Sequence, residues 1–302
     1  MSDDHGSIFD GLIGGDSSQW AFGSDFEDPL AGVDTTTPDG VDPAELAEYC
    51  LMLADDALIM SQRLSEWCSR APDLEEDIAL ANMALDLLGQ ARLLLTRAAA
   101  ADPGVVPALP EGSPVPVEDA LAFFRGAERF RNVHLVEVPN GDFAHVVVRL
   151  LLFSVVRLAL LERLRASTDT VLAAVAAKGV KEVIYHRDWA GRWFRTLAQG
   201  TQESRRRLLT ALDALWPLQP ELLATHPVEA SLARAGAGVD PAATRDEVDA
   251  ILDQVFAVSG VDRPGRAPLD GGNGRAGEHT EALGPLLAEM QVVARAHPSG
   301  RW

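Results

Sequence analysis

Carboxylates and histidines at helical spacing are the side chains of this sequence best suited to chemistry. A carboxylate three residues before a histidine lies on the same helix face, so both can reach one metal ion. A dinuclear centre inside a helical bundle asks for a Glu from each of two helices and a Glu-x-x-His from each of the other two. Asp142-Phe-Ala-His145 has that spacing, but its Asp lies in the turn Pro139–Asn140–Gly141–Asp142, where capping a helix is its ordinary role. Glu182 is followed three places on by Tyr185, with His186 one place further. Glu75, Glu76 and Asp77 are followed at that distance by Ile78, Ala79 and Leu80. These three acids fill a first helical turn, where they complement the dipole and close a capping box. A complete dinuclear site is not expected, and neither are metal ligands or catalytic residues in this chain. Glu182 and His186, at i and i+4, are expected to pair on a core seam, and Asp55 and Asp56 could complete their network.

Other chemistries find less support. No Gly-x-x-x-x-Gly-Lys loop cradles phosphate, and Gly271–Gly272–Asn273–Gly274 follows no strand. No Gly-x-Ser-x-Gly elbow is present, and Cys50 and Cys68, eighteen apart, make no zinc site. One basic spot stands out: Arg125, Arg129, Arg131 and Asn132, interleaved with Phe124 and Phe130. Arginines and an amide beside aromatics suit an anionic, aromatic-bearing ligand such as a nucleotide-containing thioester. The same residues also suit a helix end that pairs with nearby acids.

The elements that must position these residues read as helices. Asp42–Pro43–Ala44–Glu45 is a helix start. Behind it Leu46, Cys50, Leu53, Ala57, Met60, Leu64 and Trp67 recur at steps of four and three, the seam of a bundle helix. A second start, Asp73–Leu74–Glu75–Glu76, opens a helix with two apolar stripes: Leu74, Ile78, Ala81, Leu85, Leu88 and Leu95, and Leu80, Ala84, Leu87, Ala91, Leu94 and Ala98. Two stripes predict packing on both sides, and so a central helix. A short helix is expected over 120–129 and a third long helix, buried all round, over 143–164. A fourth runs from Ser167–Thr168–Asp169 to Gly200 on the seam Leu172, Val175, Gly179, Glu182, His186, Trp189 and Trp193. A fifth spans 201–216, with others near 227–235 and 241–257. A last amphipathic helix near Pro285 carries Leu286, Leu287, Met290 and Val293. No strand pattern is found. The fold expected is all-α, a ferritin-like bundle lacking a complete di-iron site.

The chain has 302 residues, 26 Lys and Arg against 45 Asp and Glu, and a formal net charge of −19. Residues 1–40 hold nine acids and no Lys or Arg, and are expected to be a disordered acidic tail ahead of a folded domain over 41–302. So acidic a chain is a poor partner for nucleic acid or an anionic membrane surface. The stretch 143–161 is broken by His145, Arg149 and Arg157, so no membrane span is expected. The acidic start and the two unneeded cysteines fit a cytoplasmic protein.

Several runs, in order, resemble the C-subunit family of phenylacetyl-CoA epoxidases. They are Glu66-Trp67-Cys68, Leu74–Glu75–Glu76–Asp77–Ile78–Ala79–Leu80–Ala81–Asn82 and Leu85–Asp86–Leu87–Leu88–Gly89–Gln90–Ala91–Arg92. Arg131–Asn132, Glu137–Val138–Pro139–Asn140–Gly141–Asp142–Phe143–Ala144, Lys181–Glu182–Val183–Ile184–Tyr185–His186, Leu215–Trp216 and residues 279–291 continue the match. The resemblance covers about residues 43–302. It implies a non-catalytic, ferritin-like subunit of a multicomponent oxygenase. That subunit pairs with a related A subunit, whose di-iron centre epoxidises the aromatic ring of phenylacetyl-CoA. A reductase subunit supplies electrons from NADPH through flavin and iron–sulfur groups, and the C subunit helps to shape the CoA-ester site. Arg129, Phe130, Arg131 and Asn132 are then expected near the CoA moiety. Two alternatives stay open: an oxygenase in its own right using Asp142, His145, Glu182 and His186, and a helical adaptor unrelated to CoA esters.

Overall fold

The computed structural model describes residues 32–265 and 273–300. Most of the expected acidic tail, over 1–31, and the loop 266–272 lie outside the described residues. Ten α-helices and no strand occur among the described residues: α1 Pro43–Ser65, α2 Leu74–Ala101, α3 Val117–Phe123, α4 His134–Glu137, α5 Phe143–Leu164, α6 Thr170–Gln199, α7 Gln202–Leu215, α8 Pro227–Arg234, α9 Arg245–Ser259 and α10 Leu283–Ala296. The all-α expectation holds. Helices α1, α2, α5 and α6 are the long ones; α1 packs along α2, α5 along α6, and α2 meets α6.

The starts follow from local chemistry. Asp42 accepts from the Ala44 and Glu45 amides, with Pro43 in the first turn. Asp73 caps α2 through the Glu76 amide. The capping box expected there is not closed, because the Glu76 carboxylate instead accepts the Trp189 indole N–H from α6. Asp169 caps α6 through the Leu172 amide and also receives the buried Arg97 guanidinium at 3.1 Å, tying α6 to α2. The backbone around Thr35 belongs to this corner, since its carbonyl accepts from Arg97 at 2.9 Å.

Burial corrects the expected centre. In α2 the stripe Leu80, Ala84, Leu87, Ala91, Leu94 and Ala98 lies in the core. Of the other, Leu74, Ile78, Leu85 and Leu88 are 70%, 52%, 63% and 38% exposed, and only Leu95 is buried. The central helix is α1, buried from Tyr49 to Ser61, Asp55 and Asp56 included. Arginines from other segments reach in to those two acids, which lets a charged stretch sit in the core.

Helix α5 is buried all round, as expected, although α5 and α2 are both long and apolar enough to cross a membrane. The most apolar window of α5 is 94% buried within the fold. The helix expected over 120–129 breaks at Phe124 because Arg125 turns inward; a short 3-10 turn, Ala127–Arg129, follows. On α10 the core face is Leu283, Leu286, Leu287 and Gln291, while Val293 points outward, 55% exposed.

Candidate functional site

Where the four long helices face one another the interior is polar. Arg157 of α5 donates Nε and Nη2 to the Gln90 side-chain carbonyl of α2, at 3.1 and 2.8 Å, and Nη1 to the Leu53 carbonyl of α1 at 3.0 Å. The Gln90 amide in turn donates to Glu182 Oε2 on α6 at 2.9 Å. Burial pushes the Arg157 guanidinium down to about 10, which leaves it cationic at neutral pH. Burial, with Asp86 nearby, raises the Glu182 carboxyl above its ordinary range despite the Gln90 bond.

Glu182 and His186 do not pair with each other as expected. His186, wholly buried, meets Asp86 of α2 through Nε2 at 3.0 Å, while its Nδ1 has no hydrogen-bond partner. Asp55 and Asp56 hydrogen-bond to other arginines, although the Asp56 charge is also felt by Arg157. Asp55 binds the buried Arg125 guanidinium and the Arg131 amide. Asp56 receives Arg275 at 2.7 Å and the Val133 amide at 2.9 Å. Asp142 and His145 form a capping box at the start of α5, the ordinary role considered for them.

Among the described residues no three His, Cys, Asp or Glu side chains gather to hold a metal ion. At the bundle centre the Arg157 guanidinium, bonded through Gln90 to Glu182, disfavours a bound dication. A dication about 5 Å from a guanidinium is repelled by roughly 7 kcal/mol at an effective dielectric near 20.

A family model described as phenylacetic acid catabolic protein matches residues 32–302. The chain belongs to that family. A curated relative, the C subunit of 1,2-phenylacetyl-CoA epoxidase from Escherichia coli (strain K12), is 40% identical over 258 residues. The match covers 85% of this chain and 99% of the relative.

Within this member of the phenylacetic acid catabolic family, the loop Arg129–Asn132 is a tightly bonded element. Phe130 is buried with the Arg125 guanidinium 4.3 Å from its ring centroid. Asn132, also buried, donates to Glu137 Oε2 at 2.8 Å. Arg129 donates to the Val105 carbonyl, and Arg131 to the Glu128 and Phe130 carbonyls and, at 3.4 Å, to Glu48. Of the four, Arg129 and Arg131 are the half-buried pair, with side chains that reach the surface.

A strap of residues 273–280 closes over this loop. Arg275 reaches Asp56 and the Met52 and Arg131 carbonyls; His279 Nδ1 meets Glu137 at 2.8 Å; Gly274 N–H donates to Glu221. A Cβ on Gly274 would lie 1.9 Å from the Asn132 carbonyl oxygen, so only glycine lets the strap approach. Burial alone would raise the Glu137 carboxyl, but His279 and Thr280 hold it below its ordinary value. Burial likewise opposes the His279 cation, and Glu137 outweighs it and raises His279.

Sequence reasoning missed Gln90, Arg157 and Arg275. The available signal was an arginine, Arg157, inside an otherwise apolar helix, read only as a break in a membrane span.

Proposed function

We propose that the chain is the non-catalytic companion subunit of a cytoplasmic multicomponent di-iron oxygenase that epoxidises the ring of phenylacetyl-CoA. It pairs with the A subunit, which carries the iron, and helps to shape the CoA-ester site. Electrons reach the iron from NADPH through the flavin and iron–sulfur groups of the reductase subunit. The observation that carries this reading is Arg157. A guanidinium bonded to Gln90 and Leu53 at the meeting point of the long helices gives the bundle a fixed internal cation, whereas a di-iron bundle needs converging carboxylates and histidines in its core. The family membership and the relative named as a subunit of such an epoxidase support it.

In this reading the chain's own residues act by holding shape. Arg157, Gln90 and Glu182 tie α1, α2, α5 and α6 together without a metal. Arg125, Asp55, Asp56 and Arg275 set the loop Arg129–Asn132 against α1. For the CoA moiety, Arg129 and Arg131 supply charge at the surface, while Phe130 and Asn132 fix the loop from beneath.

The test is reconstitution of turnover from purified A subunit, reductase, NADPH and phenylacetyl-CoA, with and without this chain. Epoxidation that needs both subunits, and no product from this chain with reductase alone, is expected. Turnover by this chain without A would contradict the reading.

A further inference from the structure

Helices α6 and α9 pack together but leave a groove of about 540 Å³ between them, within the size range of small-molecule sites. One wall is aliphatic. Ile251, Val255 and Val258 recur on α9 at i, i+4 and i+7, so a single helix face supplies all three. The other wall, from α6, is basic, with Arg187, Arg192 and Arg195. A chain with a net charge of −19 thus gathers three guanidiniums beside one apolar strip.

The charge on this wall is not cancelled. Asp188, which also lines the groove, is met by Arg187 through Nε at 3.1 Å and Nη2 at 2.9 Å. Asp249 and Asp253 of α9 are engaged by Arg263. Arg195 donates Nε to the neutral side chain of Gln199 at 3.2 Å, and Gln199 donates in turn to the Val258 carbonyl at 2.8 Å. That bridge between α6 and α9 holds Arg195 in place without neutralising it. Arg192 makes no side-chain hydrogen bond or ion pair among the described residues. Three guanidiniums against one carboxylate leave two positive charges.

Guanidiniums present forks that match carboxylate or phosphate oxygens. A phosphate monoester carries a charge of about −1.5 to −2 at pH 7, which suits two uncancelled guanidiniums better than a single carboxylate does. The aliphatic wall asks for an apolar body attached to that head. We infer that the α6–α9 groove is a binding site for a phosphate monoester with an apolar body. The phosphate sits on Arg192 and Arg195, and the body lies along Ile251, Val255 and Val258. The groove shares no residue with the loop Arg129–Asn132 or with the Arg157 network, and the inference does not depend on the companion-subunit reading.

The experiment is calorimetry on the full chain at pH 7.5, with octyl phosphate, inorganic phosphate and octanoate as probes below any micellar concentration. Octyl phosphate is expected to bind at least about tenfold more tightly than either of the others. Arg192→Gln and Arg195→Gln remove exposed guanidiniums that no acid partners, so each should weaken binding by about tenfold or more while urea melts stay unchanged. Gly191 lines the groove, and a Cβ there meets nothing within 4 Å. Gly191→Leu therefore fills the groove without touching its charge, and should also block octyl phosphate. Arg234→Gln, at an exposed arginine of α8 outside the groove, should bind as wild type. Equal affinity for inorganic and octyl phosphate would mean an adventitious ion only, and would overturn the proposal. Equal affinity for octanoate and octyl phosphate would overturn the phosphate assignment. Binding that survives both arginine changes, or survives Gly191→Leu, would place the ligand outside the groove and overturn it as well, and so would a wild-type chain that binds no octyl phosphate at millimolar concentration.

Discussion

The Arg157 guanidinium donates two hydrogen bonds to one oxygen, Oε1 of Gln90, from a helix 67 positions away in sequence. The neutral amide does not cancel the charge; it passes the interaction on to Glu182 through its own N–H₂. Three helices are joined in this way around a permanent cation.

Gln90→Leu removes the acceptor and leaves the buried guanidinium with one hydrogen bond, to the Leu53 carbonyl, beside the more distant charges of Asp56 and Glu182. Hydrogen bonds to charged groups are worth ~1.5–3 kcal/mol, and an unpartnered charge adds to the loss. A destabilisation of about 2–4 kcal/mol is expected from urea unfolding, with no gain of metal binding.

The two stripes of α2 should separate cleanly. Leu87 is wholly buried, and Leu87→Ala is expected to cost about 2–4 kcal/mol. Leu85→Ser, at an exposed site, should change stability by less than about 0.5 kcal/mol. Equal losses at both positions in urea melts of the isolated chain would mean that the outer stripe is covered within the fold.

Glu229 governs a pH dependence. Burial lifts its carboxyl from 4.5 to about 7, against the pull of Arg275 and the His226 amide. A raised carboxyl favours the folded state below its unfolded value and loses that contribution as pH climbs through its folded one. The chain should therefore lose about 3 kcal/mol on this account between pH 4.5 and pH 8. Glu229→Gln keeps an acceptor for His226 and removes the titration, so it should be more stable than wild type at pH 8 and similar near pH 4.5. Chemical denaturation at both pH values checks this.

The strap 273–280 carries the opposite signs. Glu137 is lowered and His279 raised. Their pairing is complete between the two titrations: it fades as acid protonates Glu137, and again as rising pH takes the proton from His279. Exchange protection of strap amides, corrected for intrinsic rates, should be higher at pH 6 than at pH 8.5. His279→Gln should flatten the difference.

Much of the fold was legible because the signals are local. The caps Asp42, Asp73 and Asp169, the turn before Phe143 and the 3.6-residue apolar period each lie within a few residues of what they determine. The fate of the outer stripe of α2 was not. Periodicity shows that a face is apolar, not whether its partner lies on the same chain. The polar interior was hidden for a related reason. Asp55 meets Arg125, Asp56 meets Arg275 and His186 meets Asp86 across 70, 219 and 100 positions, so the i, i+4 neighbour Glu182 looked like the natural partner of His186.

On the proposed reading, this chain is a scaffold around Arg157 and the iron belongs to its partner. Iron analysis by mass spectrometry, on the chain purified alone and then co-purified with its A subunit, tests it most directly. No stoichiometric iron is predicted in the chain alone, and about two irons per pair in the complex. Stoichiometric iron in the isolated chain, retained on dialysis against a chelator and lost in Glu182→Ala, would contradict it.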